Sequence, residues 1–149
     1  MTQSSLNDLY QDIILEHSKN PRNSGNIENP THIAKGNNPL CGDRLTIFLK
    51  LNAGLIEDIK FEARGCAISV ASASMMSMVI RGKTVEDAAV FFSKFNQLIV
   101  GNQTEDDGLQ ELVALAGVRE FPTRIKCATL PWHALQEALK GGSKEVRTE

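Results

Sequence analysis

Residues 38–43 read Asn-Pro-Leu-Cys-Gly-Asp, and the rest of the chain is organised around this stretch. It places a thiol at Cys41 and a carboxylate at Asp43, on a tight turn directly before an alternating apolar run. The other two cysteines, Cys66 and Cys127, each lie at the end of a loop and near the expected start of a helix. Three thiols and one carboxylate make four ligands, the number that a tetrahedral metal ion takes. We therefore expect the fold to bring these distant side chains together.

Length and composition indicate one domain, residues 1–149, with an ordinary core. The hydrophobic share of 42% and the charged share of 23% are typical of globular proteins. A formal net charge of -2 argues against a nucleic-acid partner, which would require a strongly basic face. The N-terminus has neither the basic start nor the apolar core of a secretion signal, and no apolar run reaches the ~20 residues that cross a bilayer. We therefore expect a cytoplasmic protein without a membrane partner, whose sparse cysteines stay reduced and bind metal or react.

Alternation of apolar and polar residues predicts two antiparallel strands. Residues 45–51 and 59–63 alternate with period two, and the turn at residues 52–54 joins them most simply as a hairpin. Residues 33–35 are expected to add a short edge strand. They lie within a long loop, residues 20–38, rich in Asn, Pro, Gly and Ser.

Helical spacing of apolar residues predicts the remaining elements. His17 closes the stripe of the first helix, where it is best interpreted as a helix-end histidine near the carbonyl dipole. Pro131 is harmless only in a first helical turn, so the last helix should begin shortly before it, with Cys127 at or just ahead of the N-terminus. We place Trp132 in the core and His133 at the surface. The other expected helices are residues 6–17, 66–80, 85–95 and 109–115, the last ended by Gly117. Residues 102–108 are expected to form an exposed acidic loop and residues 143–149 a frayed tail. The methionines at 75, 76 and 78 are expected to fill the core.

The ligand types indicate the class of metal. Three thiolates favour zinc or an iron–sulfur cluster over magnesium or calcium. Cys66 and Cys127, near helix N-termini, should have lowered thiol pKa values. Asp43 is uncommon in closed structural zinc sites, so this site should exchange ligands more readily and suit transfer chemistry. The spacing alone also fits three ordinary cysteines buried as small hydrophobic side chains.

Three motifs resemble the IscU-like iron–sulfur cluster assembly proteins, and the likeness runs in order over nearly the whole chain. They are residues 38–43, residues 65–69 with 71–76, and residues 124–130. The chain looks closer to the SufU branch than to IscU itself. Lys126 stands where IscU-type scaffolds carry a histidine, and a segment at about 90–120 resembles the helical insertion of SufU-type proteins.

The resemblance implies an α+β fold, with a small antiparallel three-stranded sheet and helices packed on one face. It implies zinc bound by Cys41, Asp43, Cys66 and Cys127, and a SufS-type cysteine desulfurase as partner. In that branch Cys41 accepts the persulfide sulfur, freed from the zinc when a desulfurase histidine takes its place. The chain would then act as a zinc-dependent sulfurtransferase working with the desulfurase rather than as a stand-alone enzyme, and it would pass sulfur on to other cluster-assembly proteins.

Two alternatives use the same ligands. One is a scaffold on which a [2Fe-2S] or [4Fe-4S] cluster is assembled and then transferred to apo-proteins; the lysine at 126 counts against it, although Asp43 can serve as the fourth ligand. The other is a purely structural zinc domain, which the exposed turn around Cys41 disfavours. Lys126 and Arg124 fit either a role beside the thiolates or a partner, or an ordinary solvated position, and His133 fits either docking or the surface.

Overall fold

The computed structural model describes residues 3–101, 108–141 and 145–148, and for residues 3–9 it describes the backbone alone. Within these ranges the chain folds in the expected α+β class. No helix of the described ranges combines the length and apolar character needed to cross a bilayer. The elements, in chain order, are α1 (Gln3–Lys19), β1 (His32–Asn38), β2 (Asp43–Asn52), β3 (Leu55–Arg64), α2 (Ala67–Ile80), α3 (Val85–Val100), a 3-10 helix (Gln110–Glu120), α4 (Pro122–Leu139) and β4 (Val146–Arg147).

The sheet has four strands in the order β3-β2-β1-β4, rather than the three expected from the sequence. The β2–β3 hairpin is confirmed, and β1 pairs antiparallel with β2 along its whole length. Strand β1 is longer than residues 33–35 and is not an edge strand, because β4 pairs in parallel on its other side. The tail is therefore not frayed at residues 146–148, where the backbone N–H of Thr148 donates to the carbonyl of Asn37 at 3.1 Å. A two-residue strand has too few positions to show alternation, so β4 could not be predicted from periodicity.

The core lies between one face of the sheet and the helices, chiefly α2 and α4. The inward side chains of β2 alternate with exposed or half-buried ones, as period-two spacing requires. Trp132 of α4 is fully buried and stacks on Phe95 of α3 with ring centroids 4.8 Å apart, which confirms its core position. Met75 and Met76 are buried as expected, whereas Met78 is 43% exposed, so its assignment to the core was wrong.

Helix α4 begins nine residues earlier than Pro131, at Pro122, and the sequence prediction was wrong here. Pro122 occupies the first helical turn, where its missing N–H costs nothing, and Pro131 lies inside the helix. Pro131 leaves the carbonyl of Cys127 without its helical N–H donor, and α4 nevertheless continues because residues 127–132 are buried against the core. Cys127 therefore lies in the second turn of α4 rather than at its start.

The region between α3 and α4 also differs from the prediction. The 3-10 helix runs past Gly117 to Glu120 instead of ending there. Residues 102–107 of the expected acidic loop lie outside the described residues. The interpretation of about 90–120 as an inserted segment stays a prediction.

His17 lies in the last turn of α1, as predicted, but it is buried and does more than face the helix dipole. Its Nδ1 lies 2.7 Å from Ser74 Oγ on α2, and its Nε2 lies 3.0 Å from Glu111 Oε1 on the 3-10 helix. The ring therefore connects three elements and lies outside the cysteine group.

Candidate metal centre

The carboxylate of Asp43 is fixed by the two ends of the hairpin. Asp43 is the first residue of β2, and its side chain is fully buried on the inner face of the sheet. The backbone N–H of Cys66 donates to its Oδ1 at 2.8 Å. Gly65, with φ +136°, brings the chain so close that an added Cβ would lie 2.8 Å from the Cα of Asp43 and closer still to Oδ1. Only glycine fits this approach.

Cys41 lies on the turn between β1 and β2. Its backbone N–H donates to the carbonyl of Asn38 at 3.2 Å, and Gly42 follows with φ +72°. The Cys41 side chain is half-buried, while the neighbouring Leu40 is 68% exposed. The turn therefore presents the Cys41 thiol at the mouth of the site.

The thiol of Cys127 completes a compact group from the opposite side. Its Sγ lies 3.3 Å from the Sγ of Cys41, and α4 holds it fully buried. The potential ligand atoms of Cys41, Asp43 and Cys127 all lie within 4.8 Å of one another. Residues separated by up to 86 positions thus meet in space.

Cys66 stands at the edge of this group. It is the N-cap residue of α2, as the sequence predicted for a helix start, and its side chain is half-buried. Its Sγ lies 3.8 Å from Asp43 Oδ2. The structure thus places all four sequence-predicted ligands together: three in one compact group, and Cys66 against its carboxylate.

The pKa of the Cys127 thiol is raised, whereas the sequence predicted that it would be lowered. Burial, then the hydrogen bonds with Asp43 and Cys41, and then the nearby charge of Cys66 raise the pKa of the Cys127 thiol. The second helical turn offers less dipole stabilisation than the N-terminus, because that effect falls off within the first turn. The expectation for Cys127 was therefore wrong, and it is the most deeply buried of the three thiols.

Arg124 lies beside these thiols. The negative charge of Cys66 raises the pKa of Arg124, desolvation offsets part of the effect, and Cys127 adds to it. Arg124 is itself exposed, so its guanidinium lies at the entrance. Of the two roles left open by the sequence, this position favours one beside the thiolates.

The donor set fits a tetrahedral thiophilic ion. Zinc–sulfur bonds of about 2.3 Å place two sulfur ligands about 3.8 Å apart in a tetrahedral site. The sulfur atoms of Cys41 and Cys127 are 3.3 Å apart, somewhat closer than that spacing, and Cys66 Sγ lies 3.8 Å from Asp43 Oδ2, so small shifts would arrange these atoms around one ion. Ionised thiols and a buried carboxylate repel one another unless a cation lies between them, so this group has the chemistry of a metal site.

Asn38 is a contributor that the sequence interpretation missed. It is buried, and its Nδ2 donates to the Sγ of Cys127 at 3.7 Å, a contact that favours the thiolate form. Its place in the motif at residues 38–43 was the available signal.

His133 is half-buried rather than at the surface, with its ring 5.5 Å from that of Phe92, and burial lowers its pKa.

Comparison with known proteins places the fold and this cysteine group in a family. The profile described as NifU-like N terminal domain matches residues 9–141. The chain belongs to this family. The match spans all four residues of the centre, from the turn carrying Cys41 to Cys127 in α4.

Three relatives within the NifU-like family illustrate its range. The zinc-dependent sulfurtransferase SufU of Bacillus subtilis (strain 168) is 46% identical over 143 residues, 95% of each chain. The iron–sulfur cluster assembly scaffold protein IscU of Streptococcus pyogenes serotype M1 is 41% identical, covering 94% of this chain and 88% of its own. The crystal structure of an iron–sulfur cluster assembly scaffold protein for the SUF system, from Fervidobacterium islandicum AW-1, is 33% identical. It superposes with a TM-score of 0.82, covering 93% of this chain and 99% of that one.

Proposed function

We propose that this NifU-like protein acts in iron–sulfur cluster biogenesis as a zinc-dependent acceptor of persulfide sulfur. The donor is a cysteine desulfurase of the SufS type, and the sulfur passes on to other cluster-assembly proteins. The single domain, residues 1–149, acts in the cytoplasm. Its metal ligands are Cys41, Asp43, Cys66 and Cys127. This proposal makes the chain a sulfurtransferase that works together with the desulfurase.

The observation that carries the proposal is the unequal accessibility of the thiols. Cys127 is fully buried, whereas Cys41 and Cys66 are half-buried. Cys66 caps α2, while Cys41 lies on a turn whose neighbour Leu40 is 68% exposed. A purely structural zinc site needs no such accessible ligand. The relationship to a zinc-dependent sulfurtransferase, at 46% identity over 95% of both chains, supports the same conclusion.

The chemistry requires a thiolate and an accessible sulfur. Bound zinc would supply the positive charge that keeps the thiols of the site deprotonated at neutral pH. The Cys41 thiolate attacks the terminal sulfur of the donor's persulfide, so that a new S–S bond forms at Cys41 while the donor's S–S bond breaks. The donor cysteine leaves as a thiolate, and no outside oxidant or reductant is needed.

The other residues hold the site while Cys41 reacts. Cys66, at the start of α2, and Cys127, inside α4, are fixed by helices and would hold a bound ion. Asp43 is a hard oxygen ligand among soft thiolates, which favours ligand exchange over permanent closure. Arg124, whose charge lies beside Cys66 and Cys127, stabilises the anionic thiolates.

A cluster-building scaffold is the second candidate, and the 41% identity to an IscU scaffold protein favours it. It uses the same three thiols with Asp43 as the fourth ligand. The two functions differ in what the purified protein contains. The first predicts colourless protein with tightly held zinc, and the second predicts brown protein with stoichiometric sulfide.

The test combines metal analysis with a sulfur-transfer assay. The protein is purified without added metal, and zinc, iron and the visible spectrum are measured. It is then mixed with a SufS-type cysteine desulfurase and cysteine, and alanine production is followed. We expect stimulation by the wild-type protein, none by Cys41→Ala, and a mass increase of one sulfur on Cys41 in the wild type.

Ser24→Ala provides the control, because it changes a polar side chain outside the cysteine group. Stimulation that survives in Cys41→Ala would refute the role of Cys41 as acceptor. Iron and sulfide in place of zinc would refute the sulfurtransferase in favour of the scaffold.

A further inference from the structure

A row of arginines crosses the outer face of the sheet at the end next to the metal centre. The register pairs Arg64 with Arg44, Arg44 with Asn37, and Asn37 with Arg147, so these four residues lie side by side across all four strands. Cross-strand partners share a face, and Asp43 is buried on the inner one. The arginine row, Arg64, Arg44 and Arg147, is therefore on the face opposite the helices.

Arg44 and Arg64 are exposed, and no ion pair to either is found in the part of the chain that the structure describes. Their Cβ atoms, as directly opposed partners, lie about 5 Å apart, and like charges at that spacing destabilise a sheet. An anionic group placed over the row would relieve this repulsion. The placement therefore favours a negatively charged partner.

The surface beside the arginine row has a depression that can receive a negatively charged partner. An open depression of about 410 Å³ lies between the three longer strands. Lys35, Arg44 and Arg64 line it together with two carboxylates, Glu62 and Glu145, so the basic groups outnumber the acidic ones. Three basic groups against two acidic ones leave the lining with a net positive charge, on a chain whose net charge is -2.

The row is continuous with the metal centre along the chain. Arg44 follows Asp43 directly, and Arg64 precedes Cys66 by two residues. A protein that approaches Cys41 therefore passes close to this edge of the sheet. We propose that an acidic surface segment of the sulfur-donating protein docks on the arginine row and guides the donor toward Cys41. This inference rests on the proposed function, since it names the chemistry of the donor's contact surface.

The test measures binding separately from sulfur transfer. The double variant Arg44→Gln/Arg64→Gln removes two charges and keeps most of each side-chain stem. The matched control, Lys50→Gln/Lys60→Gln, removes two charges from the same sheet face, four to six residues away from the row along the strands. Each protein is titrated against a purified SufS-type cysteine desulfurase, and Kd is measured at low and high salt. Zinc content and thermal unfolding are measured in parallel.

We expect the arginine variant to raise Kd by about tenfold at low salt, because charges at an interface rim govern association. The difference should shrink at high salt, since exposed charges are screened. Zinc content should be unchanged, and the melting temperature should be equal or higher, because a like-charge pair has been removed. The lysine control should keep the wild-type Kd.

Equal Kd values for wild type, arginine variant and lysine control would overturn the proposal, and so would a wild-type protein that does not bind the desulfurase. Self-association that depends on Arg44 and Arg64, seen by sedimentation of the protein alone, would assign the row to a second copy of the chain and also overturn it. Arginine-dependent binding without transfer of sulfur to Cys41 would instead refute the proposed function and leave the docking surface standing.

Discussion

Replacing Gly65 by alanine should disrupt the metal centre without touching a ligand. The new Cβ would lie 2.8 Å from the Cα of Asp43 and 3.0 Å from its Cγ, so the backbone and the carboxylate of Asp43 would have to shift. Holding a non-glycine residue at φ +136° costs about 1–3 kcal/mol. Displacing the Asp43 carboxylate from the Cys66 N–H costs about 1.5–3 kcal/mol more, since a charged group loses its hydrogen bond. The free energy of unfolding of metal-free protein should therefore fall by about 2.5–6 kcal/mol.

Gly25→Ala is the matched control. Gly25 has a similar φ of +126°, but an added Cβ there meets nothing within 4 Å. It should show the backbone cost alone, about 1–3 kcal/mol. Urea unfolding of reduced, chelator-treated protein, followed by the fluorescence of Trp132, gives the free energies of unfolding. Competition with a chromophoric chelator gives the affinity for zinc.

Two results would refute this explanation. One is an unfolding free energy of Gly65→Ala equal to that of Gly25→Ala, which would mean that the close approach to Asp43 has no energetic consequence. The other is wild-type zinc affinity in Gly65→Ala, which would mean that the Asp43 position does not set the metal site. If Gly65→Ala is already unfolded without urea, the zinc-loaded forms of both variants are compared instead.

Three further predictions follow from the site and the core. Asp43→Ala should weaken zinc binding by at least about 10–100-fold, the loss seen when only a group hydrogen-bonded to a metal ligand is removed. Circular dichroism should show that the fold is retained. Complete unfolding would indicate a structural site instead. His17→Ala should lower the free energy of unfolding by about 2–3 kcal/mol, because a buried, hydrogen-bonded ring is lost. Glu111→Gln alters a half-exposed carboxylate and should change the free energy of unfolding by about 0.5 kcal/mol or less. Burial lowers the pKa of His133 from 6.5, so the folded state binds fewer protons than the unfolded state. The free energy of unfolding should therefore fall as the pH drops below about 6.5. Urea unfolding at pH 7.5 and 5.5 should show that His133→Gln loses this part of the pH dependence.

The sequence was most informative where structure is governed by neighbours along the chain. The alternation of Leu45, Ile47 and Leu49 predicted β2, because burial of every second residue is a local signature of a one-sided sheet. The helix expected at 85–95 is present as part of α3, and its start is set locally, since the Thr84 side chain accepts from the N–H of Asp87 at 3.1 Å. Pro131 misled the prediction of α4, because the burial that offsets the cost of an interior proline is provided by segments that lie far away in sequence.

The sequence by itself determined the α+β class, the hairpin, the start of α2 at Cys66 and, through three motifs, the resemblance to the family. Only the tertiary structure decided that Cys127 is buried with a raised pKa, that β4 closes the sheet beside β1, and that Arg44 and Arg64 form one row. The physical reason is the range of the forces involved. Periodicity and capping act between residues within one or two turns, whereas desolvation, cross-strand pairing and charge repulsion depend on which distant segments the fold brings into contact.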